Sequence, residues 1–75
     1  MKPVLLKDVR RGEYFTLTDK VKYNKEGEVL SKYVYIKDEE YYYRGEKRCA
    51  VCKFDDINDW REMKVNRKVW INFIF

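Results

Sequence analysis

Alanine occurs only once in this chain, at Ala50, whereas the residues that favour β-strands are abundant. The 75 residues include thirteen aromatic side chains, eight valines and four isoleucines. Alanine is the strongest helix former, and aromatic and β-branched side chains fit the pleated surface of a sheet better than a helix. The composition therefore predicts an all-β chain whose helices are short.

The length of the chain restricts both its architecture and its chemistry. A chain of 75 residues is expected to form one domain, residues 1–75, because domains rarely divide below about 100 residues. It has no histidine and a single serine, Ser31, which excludes a Ser-His-Asp or Cys-His site within one chain. So small a core leaves little room for a catalytic cleft. We therefore expect a non-enzymatic binding module that needs no cofactor.

Three patterns organise the first part of the chain. Leu6 and Val9 are three residues apart, which suits one helical turn with its apolar side facing inward. Residues 13–18 alternate, which predicts a half-buried strand with Phe15 on its inner face. Residues 19–32 are polar and predict a long exposed connection, either a short hairpin or a disordered loop.

Residues 33–54 carry the strongest strand signal. Tyr33 to Tyr43 is aromatic and β-branched, and it predicts either one long strand or two. The turn that follows is predicted as a type II′ hairpin with Gly45 at its first central position. That register would pair Tyr43 with Arg48.

The last third of the chain changes character twice. The acidic start of residues 55–63 predicts one or two helical turns, because aspartate caps helices and suits their positive ends. Residues 68–75 then predict a final strand. Strand, long loop, hairpin, helical turn and strand together predict a small SH3-like barrel of about five strands, with an OB-type barrel as the alternative. The predicted core consists of Phe15, Leu17, Val34 or Tyr35, Ile36, Phe54, Ile71 and Phe73.

Two features suggest metal chemistry but lack its geometry. Cys49 and Cys52 form a C-x-x-C pair, but strand positions three apart point to opposite faces. A zinc site needs four ligands, usually from two such pairs, and this chain has neither a second pair nor a histidine. Asp55, Asp56 and Asp59 lack the spacing of a calcium loop. We expect two reduced structural thiols and no bound metal.

The positive charge is concentrated in the first half of the chain. Residues 1–37 hold nine Lys and Arg against five Asp and Glu, whereas residues 38–75 hold eight of each. Small barrels that bind single-stranded nucleic acid combine a basic groove with aromatic stacking platforms. The alternative is ordinary solubility charge and cross-strand tyrosine packing. The candidate nucleic-acid-binding residues are Arg10, Arg11, Tyr14, Lys20, Lys22, Tyr23 and Lys25.

The final strand is apolar on both faces and must therefore be covered on both. The cover would be the predicted helix, through Ile57, Trp60 or Met63, or a second chain. A strand at the end of a chain is also a candidate sheet edge, and exposed apolar edges pair with other chains. We therefore expect a homo-oligomer or another protein partner, with Trp70, Ile74 and Trp60 at the interface.

Three stretches carry a family resemblance: LKDVRRGEYFTL at 6–17, KFDDIND at 53–59 and VWINFIF at 69–75. With this layout the chain resembles a group of small uncharacterised proteins of gut anaerobic bacteria and their phages. The resemblance implies a bacterial or phage origin and brings no activity or site residue with it. The apolar run at residues 4–6 is shorter than the roughly 7 residues of a signal peptide or the roughly 20 of a membrane span. We expect a cytoplasmic protein without membrane contact.

Overall fold

The computed structural model describes residues 1–75 as one antiparallel sheet of six strands in the order β1-β6-β2-β3-β4-β5. Two single-turn 3-10 helices, Leu6–Asp8 and Ser31–Tyr33, are the only helical elements. The all-β prediction is confirmed. The strands are β1 Lys2–Leu5, β2 Tyr14–Thr16, β3 Val34–Tyr43, β4 Glu46–Lys53, β5 Trp60–Lys64 and β6 Lys68–Ile71.

The sheet curls strongly but does not close. Only residues 65–67 connect β5 to β6, although the two strands lie four positions apart in the sheet. Four strand spacings are about 19 Å in a flat sheet, whereas this connection spans at most about 15 Å. The backbone N–H groups of Leu6 and Lys7 donate to the carbonyls of Arg67 and Val65, both at 2.8 Å. No pairing joins β1 to β5, so a closed barrel and the SH3-like class are not confirmed.

The main hydrophobic cluster lies on one face of the curled sheet, which we call the core face, while Thr16 and Val34 are buried on the opposite face. Phe15 and Tyr35 stack there at 5.9 Å between ring centroids, and both are buried. Leu6 and Val9 are buried beside them, which confirms that the first turn faces inward. The prediction that Phe54 is buried is wrong, because it follows β4 on the opposite face, where it is exposed. The core-face cluster consists of Leu6, Val9, Phe15, Tyr35, Cys49, Val51, Met63 and Val69.

The long hairpin differs from its prediction in turn type and register. β3 is one strand with a bulge between Lys37 and Glu40. Arg44 and Gly45 both have positive φ, 52° and 78°, which makes them the central residues of a type I′ turn. Tyr43 consequently pairs with Glu46. The predicted pairing with Arg48 is wrong by two residues, although the faces of the strands are unchanged.

The helical turn predicted before the last strand is wrong. Residues 60–64 form β5, which pairs with β4 from Cys52–Trp60 to Arg48–Lys64. The aspartates that suggested a helix cap build a tight turn instead. The N–H of Asp59 donates to the carbonyl of Asp56 at 2.9 Å, and the Asp56 carboxylate accepts from the N–H of Asn58 at 3.0 Å. Alternating side chains then allow β5 to bury Met63 on the core face.

The last strand is internal, so the prediction that it forms a sheet edge is also wrong. β6 lies between β2 and the N-terminal strand β1, which the sequence pattern did not reveal. β6 ends at Ile71, because Asn72 takes a left-handed conformation with φ 61°. The residues after it meet the long connection, where the Val29 N–H donates to the Ile74 carbonyl at 2.6 Å. A bridge between Tyr23 and Val29 makes that connection a short hairpin, one of the two predicted forms.

Candidate functional site

The face opposite the core, here called the outer face, carries one row of side chains across four strands. Tyr14 pairs with Ile36, Ile36 with Cys52, and Cys52 with Trp60. Paired residues of an antiparallel ladder project to the same face. The row is therefore continuous from β2 to the edge strand β5. Its two ends are exposed, with Tyr14 at 42% and Trp60 at 52%.

An aromatic cluster extends this row towards the C-terminus. Tyr14 meets Phe54 and Phe75 edge-on, with ring centroids 5.9 and 4.8 Å apart, and Phe54 meets Phe75 at 5.0 Å. Phe73 lies 5.8 Å from Phe75. Edge-to-face contacts of this kind are favourable beyond the area that they bury. These contacts hold the rings of the cluster in position, and Phe54 is still 39% exposed.

Row and cluster together make an apolar region, which we call the outer-face patch and define by Tyr14, Ile36, Cys52, Phe54, Trp60 and Phe75. Cys52 is buried within it and Ile36 is half-buried, whereas Tyr14, Phe54 and Trp60 are exposed. Ile57, in the turn between β4 and β5, is 68% exposed. A groove of about 250 Å³ opens beside Tyr14 and Phe75. The patch therefore offers both flat aromatic area and one recess for a partner side chain.

Charged side chains bound the patch on the side of the long hairpin. Glu62 accepts from Arg48 Nη1 at 2.9 Å and also from the Tyr41 hydroxyl. This hydrogen bond to a carboxylate raises the pKa of Tyr41 to about 12. Arg48 also reaches Glu46 at 3.0 Å, and Lys64 lies 3.6 Å from the same carboxylate. An apolar centre with a polar rim is typical of protein interfaces.

The three predicted interface residues do not form one surface. Trp60 is on β5 and Trp70 on β6, four positions away in the strand order; Trp70 pairs with Pro3 and Thr16 and so projects to the outer face as well. Trp70 is half-buried, and Lys68 Nζ lies 5.5 Å from the centre of its ring. Ile74 follows the end of β6 and is 70% exposed. The predicted helical cover over Trp70 is not formed, since Trp60 and Met63 lie in β5 and Ile57 lies in the turn before it.

The predicted nucleic-acid residues fall into two groups at opposite ends of β2. Arg10 and Arg11 precede the strand and are paired with carboxylates, Arg11 with Asp38 at 2.8 Å and Arg10 with Glu13 at 4.0 Å. The second group lies in the long connection after β2 and consists of Lys20, Lys22, Tyr23 and Lys25. Tyr14 lies in β2 itself, where it belongs to the aromatic cluster and to neither group.

Tyr23 of this second group lines a groove of about 450 Å³ with Trp70. Lys68 and Asp19 add one charge of each sign, and Met1 and Pro3 complete the wall. The sequence pattern predicts Trp70 at a protein interface, whereas the fold brings it beside Tyr23.

The two cysteines lie on opposite faces of β4. Cys49 belongs to the core cluster and Cys52 to the outer-face row, and both thiols are free. Burial is the main cause that raises the pKa of each thiol, and the charge of Asp38 adds to it at Cys52. No group of three or more Cys, Asp or Glu side chains comes together in a way that could hold a metal ion. The geometry gives neither thiol the low pKa of a nucleophile.

Comparison with known proteins returns no relationship on which to build. No protein-family model matches the chain, and no curated protein and no solved structure is significantly similar to it. A helix with the length and apolar character needed to cross a membrane is not found. Functional inference therefore depends on the geometry of the outer face.

Proposed function

We propose that this chain is a non-enzymatic protein-interaction and assembly module that packs its outer-face patch against another protein surface, including that of a second copy. The observation that carries the proposal is the continuous row from Tyr14 to Trp60, joined to the aromatic cluster at Phe54. Large contiguous apolar surfaces are uncommon on monomers and are typical of interaction sites.

The chemistry of the patch fits a protein partner better than a small ligand. Tyrosine and tryptophan dominate the binding energy of many interfaces, because they bury much area for few rotatable bonds. Two apolar sheet faces pack at about 10 Å with their side chains interdigitated. A second outer face is the simplest partner of this shape, since a two-fold axis lets one patch cover its copy.

Three further elements belong to the proposal. A bacterial or phage origin is proposed on the family resemblance of the three sequence stretches. Buried free thiols fit a reducing compartment such as the cytoplasm. The SH3-like class is supported by the long connection after β2 and by the curl of the sheet, whereas the open side between β1 and β5 counts against it.

Sedimentation velocity at rising protein concentration, from about 10 to 500 μM, tests this function. The double variant Tyr14→Lys and Phe54→Lys places two charges in the patch without touching the core face. Tyr42→Lys is the matched control, because Tyr42 is 74% exposed and projects from β3 to the other face. We expect the double variant to lose the association that depends on the patch, and so to associate more weakly than the parent, whereas the control should associate as the parent does. Equal association of all three proteins, or a strictly monomeric parent, would rule out the patch as an assembly surface.

Single-stranded nucleic-acid binding is the second candidate, and the groove between Tyr23 and Trp70 favours it. Two aromatic walls beside Lys68, with Lys20 and Lys22 on the adjoining connection, provide stacking surfaces and phosphate contacts. Electrostatic binding is strongest at low salt, so titration with labelled oligonucleotides at about 50 mM salt is the sensitive assay.

Lys20→Ala with Lys22→Ala should weaken that binding and reduce the salt slope by about two. Arg10→Ala with Arg11→Ala removes the same charge from residues that are already paired, and it should have a smaller effect. An absence of binding by the parent protein under these conditions would exclude this candidate.

A further inference from the structure

We propose that the outer edge of β5 pairs with β5 of a second copy, antiparallel and around a two-fold axis, so that the sheets of two copies become one. This inference deepens the proposed assembly function and rests on it, but it concerns a different surface. The outer-face patch packs face to face, whereas β5 joins edge to edge.

The backbone of β5 presents a free hydrogen-bonding edge. β5 is the last strand in the sheet order, and only β4 pairs with it. The Lys53 N–H donates to the carbonyl of Asp59 at 3.2 Å, next to the pair Cys52–Trp60. Because bonded pairs alternate along an antiparallel ladder, the polar groups of Trp60, Glu62 and Lys64 point away from β4.

The two edges of the sheet differ in their protection. β1 contains Pro3, which has no N–H to offer and is typical of edges that do not pair. β5 contains neither proline nor glycine. Its charged side chains can protect the edge by repelling a strand of like charge. An antiparallel second copy of β5 can instead place opposite charges against each other, because acidic and basic residues alternate along the strand.

The charge order selects one register. A two-fold axis perpendicular to the sheet requires that opposed residues project to the same face. An axis through Glu62 would oppose two carboxylates, and an axis through Arg61 would oppose two guanidinium groups. An axis through Met63 opposes Glu62 of each copy to Lys64 of the other, on the outer face.

These side chains are accessible to a second copy. The Glu62 side chain is 40% exposed and that of Lys64 is 62% exposed. In the register centred on Met63, the outward backbone groups of Glu62 also face those of Lys64. Opposite charges on paired residues stabilise a sheet, whereas like charges destabilise it.

Edge pairing of this kind has a consequence for the patch. The perpendicular axis keeps both outer faces on one side of the joined sheet, with Trp60 of each copy near the seam. Face-to-face packing of two such pairs would give a tetramer with two independent interfaces. The two interfaces can therefore be removed separately.

Glu62→Pro removes an N–H that points to the free edge and leaves the pairing with β4 intact. Glu62→Ala is the control, since it loses the same carboxylate but keeps the N–H. By sedimentation velocity up to about 500 μM we expect the proline variant to associate at least about tenfold more weakly than the alanine variant and to stop at a face-packed dimer. The Tyr14→Lys and Phe54→Lys variant should stop at an edge-paired dimer.

Hydrogen exchange of the parent protein gives a readout that needs no substitution. The amides of Glu62 and Lys64 should become protected as concentration rises, while the inward amides of Arg61 and Met63 stay protected throughout. Two results would overturn edge pairing. One is identical assembly of the proline and alanine variants, and the other is a hydrogen-exchange rate of the Glu62 and Lys64 amides that does not change with protein concentration. Loss of assembly in the patch variant alongside either result would leave the proposed function standing, and a parent that never associates would remove both.

Discussion

The buried ammonium of Lys37 lies 2.6 Å from the carbonyl oxygen of Val9, across the core face from the strand that carries it. It also donates to the Leu6 carbonyl and to Glu40 Oε2, both at 2.8 Å, and the residue is only 4% exposed. Three protons meet three acceptors, so the charge is buried without an unsatisfied donor. Lys37 thereby ties the turn after β1 to the bulge of β3.

Lys37→Met should destabilise the fold by about 3–5 kcal/mol, because it leaves the Val9 carbonyl without a donor, takes one of two donors from the Leu6 carbonyl and removes the buried one of the two cations beside Glu40. Urea unfolding measures this loss. Lys47→Met is the matched control, since Lys47 pairs with the same carboxylate at 3.1 Å but is 46% exposed. An exposed pair contributes at most about 1 kcal/mol. Similar unfolding midpoints for the two variants would refute the role given to Lys37.

The stability should fall in acid through Glu40. The hydrogen bonds from Lys37 and then Lys47 lower the pKa of Glu40 from its ordinary value of 4.5. A carboxylate with a lowered pKa stabilises the fold above its unfolded pKa, and this contribution is lost as pH falls through the folded value. Unfolding midpoints measured below pH 4.5 should therefore decline less in Glu40→Gln than in the parent. Parallel declines would show that Glu40 is not responsible.

Phe15 and Phe73 should respond differently to truncation. Phe15 is fully buried, so Phe15→Ala should cost about 3–5 kcal/mol and unfold most of the domain. Phe73 is half-buried beside Phe75, so Phe73→Ala should leave a folded protein. Thermal melts followed by near-ultraviolet circular dichroism compare the two. A folded Phe15→Ala protein would contradict the assignment of the core.

The thiols should be slow to react. Burial raises the pKa of both Cys49 and Cys52, which lowers the thiolate fraction at neutral pH. Reaction with a chromogenic disulfide reagent at about pH 8 should be slow in the native protein and fast in urea. Since the two side chains lie on opposite faces of β4, oxidation should not join them within one chain. Rapid native labelling of either thiol would contradict this placement.

Local patterns predicted the strands wherever alternation was strong. Phe15 and the long strand from Val34 were recognisable, because their side chains alternate or are β-branched. The first turn was equally evident from Leu6 and Val9. These features depend on neighbours in sequence, which a sequence displays directly.

The errors arose where distant pairing decides the structure. The sequence predicts a helix where β5 forms, because aspartates that cap helices also build tight turns and only the contact with β4 distinguishes the two. It predicts an edge at β6, because the partner strand β1 carries Pro3 and lacks an alternating pattern. The outer-face patch was missed for the same reason, since its row joins Tyr14 to Trp60 across four strands.

The cations in the first half of the chain differ in whether the fold gives them a carboxylate partner. Arg11 donates to Asp38 at 2.8 Å, a partner 27 residues away in sequence, whereas Lys20 and Lys22 lie on the exposed connection. A count of charges contains no such pairing. Charge asymmetry alone therefore does not show which of these cations have a carboxylate partner.

Hydroxyl-radical footprinting at about 5 and 500 μM protein tests assembly through the outer face, because it reports which aromatic side chains an assembly covers. Tyr14, Phe54 and Trp60 should lose reactivity at the higher concentration, while Tyr42 on the other face should keep its reactivity. Unchanged reactivity of these three residues in an associated protein, or protection that appears only at Tyr42, would contradict assembly through the outer face.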